Sequence, residues 1–408
     1  MNIVVGQSGG PTAAINASLA GVYQAAVDAG AKKVYGMRNG IQGFLAENLV
    51  DLKEILDEEE KVERLKRTPA SFLGSCRYKL KKAEVDETDY QKIFAILKKY
   101  EINCFFYIGG NDSMDTICKL AAYGKKIGSD IRFVGVPKTI DNDLMATDHT
   151  PGYGSAAKFV ATVIKELVYD ARIYQLKSVL IVEVMGRNAG WLTAASVLAK
   201  DENCEGVDLI YLPEASFTME KFYADVQECL KTKDSVVVAV SEGIKLSDGR
   251  YVCELSAGNG CEDAFGHKQL SGTALFLAQD CARVLNVKTR AVELSTLQRC
   301  AGHLTSATDL LEAQEVGAAA VRAAIEGKSG VATTLVRLSE QPYRWGTSII
   351  EIDKMANSEK TIPLAWINDT QNGLTEAFEK YARPLIEGEV SLCYKGGLPQ
   401  YIRLDEEI

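Results

Sequence analysis

Pro137 to Asp143 reads PKTIDND and directly follows the apolar run IRFVGV. One ammonium (Lys138), one hydroxyl (Thr139) and two carboxylates (Asp141, Asp143) thus share a short loop at the end of a buried strand. A carboxylate can take a proton from a reacting hydroxyl, a second can help hold a hard cation, and a lysine is a point charge for an anion. The plain alternative is a solvated lysine with aspartates capping a turn. Two further loops carry comparable chemistry. GGNDS (Gly109 to Ser113) comes straight off INCFFYI and opens a helix. Asn111 or Asp112 there could cap helix amides, or could face a metal or repel a ligand's negative charge. QSGGPTAAIN sets Gly9 and Gly10 between a strand and a helix, with Pro11 near the first helical position. Its backbone amides can approach an anion closely.

More groups follow at other strand ends and glycine turns: Arg77 in LGSCR, Arg187 in VEVMGR, Glu242 in VSEG, and Arg290 and Arg299 in KTRAVELSTLQR. The arginine fork suits phosphate, although most arginines on an acidic protein are only solvated.

Strand-like and helical runs alternate throughout the first part of the chain. NIVVG, KKVYGM, INCFFYIGG and IRFVGV are apolar on both faces, which predicts a parallel sheet covered on two sides. Ligands then sit beyond the C-terminal strand ends, where the three loops lie. SVLIVEVMG, VDLIYLP and SVVVAVSEG repeat the pattern, with helical stretches at 155–170, 190–200 and 218–232, so a second α/β domain is expected. The stretches 271–285 and 305–327 also have helical spacing. Two motifs lack their required context. GKS (Gly327 to Ser329) follows a helix and has no upstream P-loop glycine. GYGSAA (Gly152 to Ala157) fits a dinucleotide fingerprint but follows the polar TDHTP rather than a strand.

With 408 residues, 47% of them hydrophobic, the chain can bury more than one core. A net charge of −9 argues against a nucleic-acid partner. No apolar run approaches the roughly 20 residues of a membrane span, and MNIVVGQSGG lacks the form of a signal peptide, so a cytoplasmic location is expected. Ten cysteines without a CxxC pair predict reduced thiols rather than disulfides or zinc.

SGGPTAAIN, LGSCR, GGNDS, PKTIDND, VEVMGR, VSEG and a late TR…LQR resemble, in sequence and order, the phosphofructokinase family, from the N-terminus to about residue 330. The resemblance implies two similar three-layer α/β domains with mainly parallel sheets and an active site in the cleft between them. It assigns residues 1–140 with about 255–305 to a donor-binding domain, about 141–254 with 306–330 to a sugar-phosphate domain, and 331–408 to a C-terminal extension packed on both. By the same resemblance Asp141 is the general base on the sugar 1-hydroxyl, and Thr139 and Asp143 position the transferring group and its metal. Ile140, Met185, Gly186, Arg187 and Glu242 contact fructose 6-phosphate. Arg290 and Arg299 grip its 6-phosphate, with the family arrangement allowing one of them to come from a neighbouring subunit, while Gly9 and Gly10 line the donor site and Arg77 stabilises the phosphoryl group in flight. Mg²⁺, with Asn111 and Asp143 as ligands, is the implied cofactor, and a homodimer or homotetramer the implied assembly.

The departures from the family pattern concern the donor. Members that use ATP carry glycines where this chain has Asp112 and Lys138, a pair typical of the pyrophosphate-using branch. A carboxylate about 4 Å from an α-phosphate costs on the order of 4 kcal/mol at an effective dielectric near 20, about three powers of ten in binding. Lys138 would supply the cation that a bare pyrophosphate needs. Asn111 stands where a metal-binding aspartate is usual, Thr296 where a histidine often contacts the sugar phosphate, and Ser178 where an arginine often crosses between subunits. The implied reaction is reversible transfer from pyrophosphate to fructose 6-phosphate. The alternatives are an ATP-dependent kinase, a kinase for another sugar phosphate such as sedoheptulose 7-phosphate, and a catalytically silent regulatory subunit.

Overall fold

The computed structural model describes residues 1–255 and 270–406. Cys261 and the 256–269 part of the expected donor-domain segment lie outside the described residues. In chain order the elements are β1 (Asn2–Gln7), α1 (Ile15–Asp28), β2 (Lys33–Met37), α2 (Gly40–Leu45), β3 (Leu49–Asp51), α3 (Leu52–Ile55), α4 (Glu59–Arg67), α5 (Thr88–Lys99), β4 (Ile102–Gly109), α6 (Asn111–Lys126), β5 (Arg132–Pro137) and α7 (Tyr153–Ala171). They continue with β6 (Ser178–Val184), α8 (Trp191–Ala194), β7 (Leu209–Tyr211), α9 (Met219–Thr232), β8 (Ser235–Ser241), α10 (Thr273–Leu285), β9 (Lys288–Glu293), α11 (Ala307–Ile325), β10 (Val331–Glu340), β11 (Tyr343–Glu351) and α12 (Glu376–Ala382).

Seven strands form the first sheet in the order β11-β10-β5-β4-β1-β2-β3. β5, β4, β1 and β2 are parallel neighbours, and β10 joins β5 in parallel before turning back into β11. Alternating residues feed two cores. Ile3, Val5, Phe106 and Val134 pack under α1 and α11, while Val4, Phe105, Tyr107 and Phe133 pack with Tyr90, Ile93, Ile117 and Leu120 of α5 and α6. The second sheet is smaller and wholly parallel, ordered β7-β8-β6-β9. Leu180 and Val182 face α7 and α8, and Val179 and Ile181 face α9 and α10. Both domains are therefore three-layered, as expected, but they differ in strand number.

The domain partition differs from the sequence reading. β9 pairs with β6 from Ser178↔Lys288 to Glu183↔Glu293, and Ala274, Leu277 and Cys281 of α10 complete the core on that face. The described part of 255–305 thus belongs with the second sheet, not with the donor loops. Conversely, Val316, Ala320 and Ala324 of α11 pack into the first domain, and 331–351 extends the first sheet rather than lying on it. The rest of the extension divides, with Ile362, Phe378 and Tyr381 in the second domain's core and Ile402 and Leu404 in the first. No disulfide joins the nine described cysteines, and no described helix is long and apolar enough to cross a membrane.

The α1–α11 contact depends on two glycines. A Cβ on Gly21 would stand 1.9 Å from the Gln314 carbonyl oxygen, and one on Gly317 2.2 Å from that of Ser18. Both obstacles are backbone, so only helix displacement could relieve them. Gly317→Ala is expected to cost about 1–3 kcal/mol, the range for overpacking, and to lower the thermal midpoint. An unchanged midpoint would refute this close approach.

Candidate active site

β5, β4 and β1 are adjacent and parallel, so the PKTIDND, GGNDS and QSGGPT loops leave the same sheet edge side by side. Gln7 and Asn16, both buried, fix the first of these loops. The Gln7 amide nitrogen donates to Asn16 Oδ1 at 2.9 Å, and Gln7 Oε1 accepts from the Leu73 amide at 2.9 Å. Asn16 Nδ2 reaches the carbonyls of Thr68 and Ala70, each at 2.8 Å. This pair ties the segment carrying Arg77 to β1, and Ser75 Oγ adds a bond to the Gly9 carbonyl at 2.7 Å. A buried asparagine inside an apolar helix pattern was the signal for it in the sequence. Helix capping is not what these loops do. α1 begins at Ile15, beyond Pro11, and the N-cap of α6 is Gly110, with no side-chain cap.

Lys138 is 2% exposed, and its Nζ donates to the Gly10 carbonyl at 2.7 Å. Burial lowers its pKa to about 8, opposed by Asp141. Thr139 Oγ1 contacts Asp141 Oδ2 at 3.2 Å and accepts from the Asp141 amide at 3.1 Å. Burial pushes the Asp141 carboxyl up, with Thr139, Lys138, Arg187 and Arg299 pulling it back. Asp143 is pushed up to about 7 by burial and by the neighbouring charges of Asp141 and Glu359.

The facing wall belongs to the second sheet. The loop after β6 carries Met185, Gly186 and Arg187, and Glu242 follows β8. Gly186 sits at φ 143° with its amide donating to Glu242 Oε1 at 3.3 Å, and a Cβ there would lie 2.5 Å from the Ala189 carbonyl oxygen. Only glycine serves at this turn. The Met185 amide donates to Gln298 Oε1 at 3.2 Å, which links this loop to the turn bearing Arg299. Burial raises Glu242 to about 7, and Glu183 and Asp141 add to the effect. Glu183, buried and accepting from the Ala274 amide at 2.8 Å, is pushed up to about 7 as well.

Two adjoining cavities are lined by residues of these walls. The first, about 1050 Å³ with its open mouth, is lined by Gly9, Gly10, Arg77, Asn111, Asp112, Lys138, Thr139, Ile140, Asp141, Asp143, Met185 and Arg299. The second, about 1030 Å³, is lined by Arg77, Met185, Arg187, Glu242 and Arg299, together with Glu183, Glu293, Ser295 and Thr296. Arg77, Met185 and Arg299 border both, so they mark the junction. Glu183 carries little signal in the sequence, where a single charge inside an apolar strand run resembles an isolated exception. The two decoy motifs have structural roles. Gly152 and Ser155 of GYGSAA give their amides to the buried Asp309 carboxylate at 2.8 and 2.9 Å, which fills the helix terminus a dinucleotide would need. Ser329 accepts from the Phe133 amide.

The structure qualifies three expectations. Arg290 borders neither cavity of its own chain; it is 61% exposed on the edge strand β9, 3.8 Å from Asp170, a placement that leaves the expected contribution to a neighbouring subunit's site. Arg299 borders the sugar-side cavity and also reaches the donor loop, since its Nη1 would lie 3.1 Å from a Cβ on Gly10. Asp112 lines the donor cavity but is 49% exposed and pairs with Lys79 at 3.5 Å. Water screens such a carboxylate, so its repulsion of a phosphate about 4 Å away falls toward about 1 kcal/mol.

Among the described residues no group of three or more His, Cys, Asp or Glu side chains is arranged to hold a metal unaided. Yet Asn111 Oδ1 is buried without a hydrogen-bond partner, and the charge of Asp141 adds to the cost of ionising Asp143. Such a donor set fits a divalent ion that also takes phosphate oxygens from its substrates.

The phosphofructokinase family model matches residues 2–324. Over 407 residues the chain is 41% identical to a pyrophosphate–fructose 6-phosphate 1-phosphotransferase of Methylococcus capsulatus, covering 99% of this chain and 96% of that protein. A crystal structure of a pyrophosphate-dependent phosphofructokinase from Nitrosospira multiformis is similar at a TM-score of 0.88 and 38% identity, covering 98% of this chain and 96% of that one. Pichia pastoris phosphofructokinase in the T-state shares the fold, with a TM-score of 0.67 at 21% identity, over 87% of this chain and 35% of that one. With the strand-end loops, the two-walled cleft and these matches together, the chain belongs to the phosphofructokinase family.

Proposed function

We infer that this chain transfers a phosphoryl group reversibly between pyrophosphate and the 1-hydroxyl of fructose 6-phosphate. The observation that carries this reading is Lys138, a buried cation fixed on the Gly10 carbonyl in the cavity that Asp141 also lines. ATP brings an α-phosphate and a nucleoside for the protein to hold. Pyrophosphate brings neither, and its leaving phosphate needs a cation supplied by the site.

In this reading pyrophosphate occupies the first cavity, against Gly9, Gly10 and Lys138, and the sugar phosphate enters the second. Met185, Gly186, Arg187 and Glu242 hold the sugar, with Ile140 against it at the base loop. Asp141, steadied by Thr139, accepts the proton of the 1-hydroxyl as that oxygen attacks the near phosphorus, and the bond to the bridging oxygen breaks to release phosphate. Arg77 and Arg299, at the junction of the cavities, neutralise charge on the group in transit, which is the main demand of phosphoryl transfer. Asn111 and Asp143 would hold Mg²⁺, which supplies charge neutralisation on the phosphate oxygens when bound. Arg290 is available to a neighbouring copy rather than to its own cleft. The partly exposed Ile173, Tyr174 and Leu176 nearby support a homodimer or homotetramer.

Initial rates with pyrophosphate and with ATP, each with fructose 6-phosphate and Mg²⁺, test the reading directly. A rate with ATP above that with pyrophosphate would overturn it. Asp141→Ser is expected to lower kcat by about 10²–10⁴-fold, the usual worth of a positioned base, with KM for fructose 6-phosphate changed little. Normal turnover would remove Asp141 from the base role. Because Lys138 loses its charge above about pH 8, kcat/KM for pyrophosphate is expected to fall on that alkaline side, and Lys138→Met should lack this limb. A limb that persists in Lys138→Met belongs to another group. Asp112→Gly should improve the use of ATP by less than about tenfold, in line with a screened cost near 1 kcal/mol; a gain of about a thousandfold would show that the carboxylate acts unscreened.

A further inference from the structure

The segment Glu359 to Ile362 touches neither cavity, yet it is bonded to both walls of the cleft. Its first contacts are with the base loop. Glu359 forms an antiparallel bridge with Leu144, and the Lys360 amide donates to the Asp143 carbonyl at 2.7 Å. Its other contacts reach the sugar-side wall. Asn188, next to Arg187, donates to both Glu359 carboxylate oxygens at 3.2 and 3.0 Å. Trp191 Nε1 donates to the Lys360 carbonyl at 2.9 Å, and Glu214 Oε1 accepts from the amides of both Gly190 and Ile362.

The Lys360 side chain turns inward beneath the base loop. Its Nζ donates to the carbonyls of Thr147 and Asp148 at 3.1 and 2.8 Å and approaches Asn142 Oδ1 at 3.4 Å. Asn142, the residue between the two aspartates, is fully buried and left-handed at φ 53°. That conformation is uncommon outside glycine and needs support from its surroundings. Asn142 Nδ2 donates to the Tyr381 hydroxyl at 2.9 Å, and the same hydroxyl donates to the Asp148 carbonyl at 2.8 Å. Asn142 Oδ1 accepts from the Thr150 amide at 3.1 Å. One lysine and one tyrosine of the C-terminal extension thus hold the backbone turn on which Asp141 and Asp143 sit.

We propose that 359–362 is a strap that sets the base loop against the sugar-binding loop, with Lys360 and Tyr381 as positioning residues for the transfer. The proposal rests on the functional reading above and adds to it a task for the C-terminal extension. Reacting groups must meet within tenths of an ångström, and misplacement by about 1 Å can cost on the order of a hundredfold in rate. A loop bonded to both walls keeps acceptor and base in one frame.

Tyr381→Phe removes both hydroxyl bonds and keeps the ring among Trp191, Trp366 and Phe378, so it should fold. Lys360→Met keeps the stem and removes the three polar contacts. Each is expected to lower kcat by about 10–100-fold while KM for both substrates stays within about threefold. Hydrogen–deuterium exchange of the peptide covering 139–150 should be faster than in the parent protein, with other peptides unchanged. Normal kcat together with normal exchange in Tyr381→Phe would overturn the proposal, even if Lys360→Met failed to fold. A parent protein inactive with pyrophosphate would instead defeat the functional reading alone, because exchange at 139–150 still scores the strap.

Discussion

The cleft is organised around a charge problem. Lys138, Asp141 and Asp143 lie together at the end of β5, largely out of water, and each pays a desolvation cost visible in its displaced pKa. Removing charges from water costs several kcal/mol per ion, recovered only where geometry and hydrogen bonding are well arranged. One backbone and one side-chain group do part of that here. The Gly10 carbonyl takes the ammonium, and Thr139 braces the aspartate through its hydroxyl. A surface loop could not hold such a cluster, whereas the rigid end of a seven-stranded sheet can. The imbalance that remains, two carboxylates and one lysine beside arginines, is the condition in which a polyanionic donor and a cation bind together.

The second sheet poses a related problem from the other side. Glu183 is buried and Glu242 half-buried, and desolvation raises both to about 7, close to Arg187 and Arg299 in the same cavity. A sugar phosphate offers hydroxyls to the carboxylates and an anionic end to the arginines. The polarity of this wall therefore complements that of the donor wall. Loops from separate sheets do not keep registry by themselves, and the connections that secure them come from chain segments remote in sequence. Gln298 joins the Met185 loop to the Arg299 turn, and 359–362 joins the base loop to Asn188 and Trp191.

How much of this was legible follows from how local each signal is. Apolar strands ending in glycine or charge mark β1, β4, β5, β6 and β8 within a few residues, and they brought the loops of the donor wall together correctly. β9 was unreadable as a strand because KTRAVE lies on a sheet edge, where one side faces solvent and charges are tolerated. The same edge position took Arg290 away from its own cleft. Residues 306–330 were placed with the sugar-phosphate domain because an amphipathic helix carries no address; the close approaches of Gly317 to Ser18 and of Gly21 to Gln314 reveal its partner. Gln7, Lys360 and Tyr381 were missed because their work is done by bonds to groups distant in the chain, which no spacing encodes; Asn16 alone carries a local mark, a polar side chain in an apolar helix pattern.

Donor choice shows why location matters more than residue identity. The sequence reading gives the pair two tasks, Asp112 repelling ATP and Lys138 attracting pyrophosphate. Their surroundings separate them. Asp112 is half in water beside Lys79, where solvent and a counter-ion weaken its field. Lys138 is sealed against Gly10, where the low local polarisability strengthens every interaction it makes. In the proposed reading the lysine therefore carries more of the selectivity than the aspartate, by attracting a short donor rather than by repelling a long one. Its ammonium also fills space next to Gly9, 3.3 Å from where a Cβ would stand, so in the proposed reading the same group that meets the donor's charge also occupies room beside the donor loop.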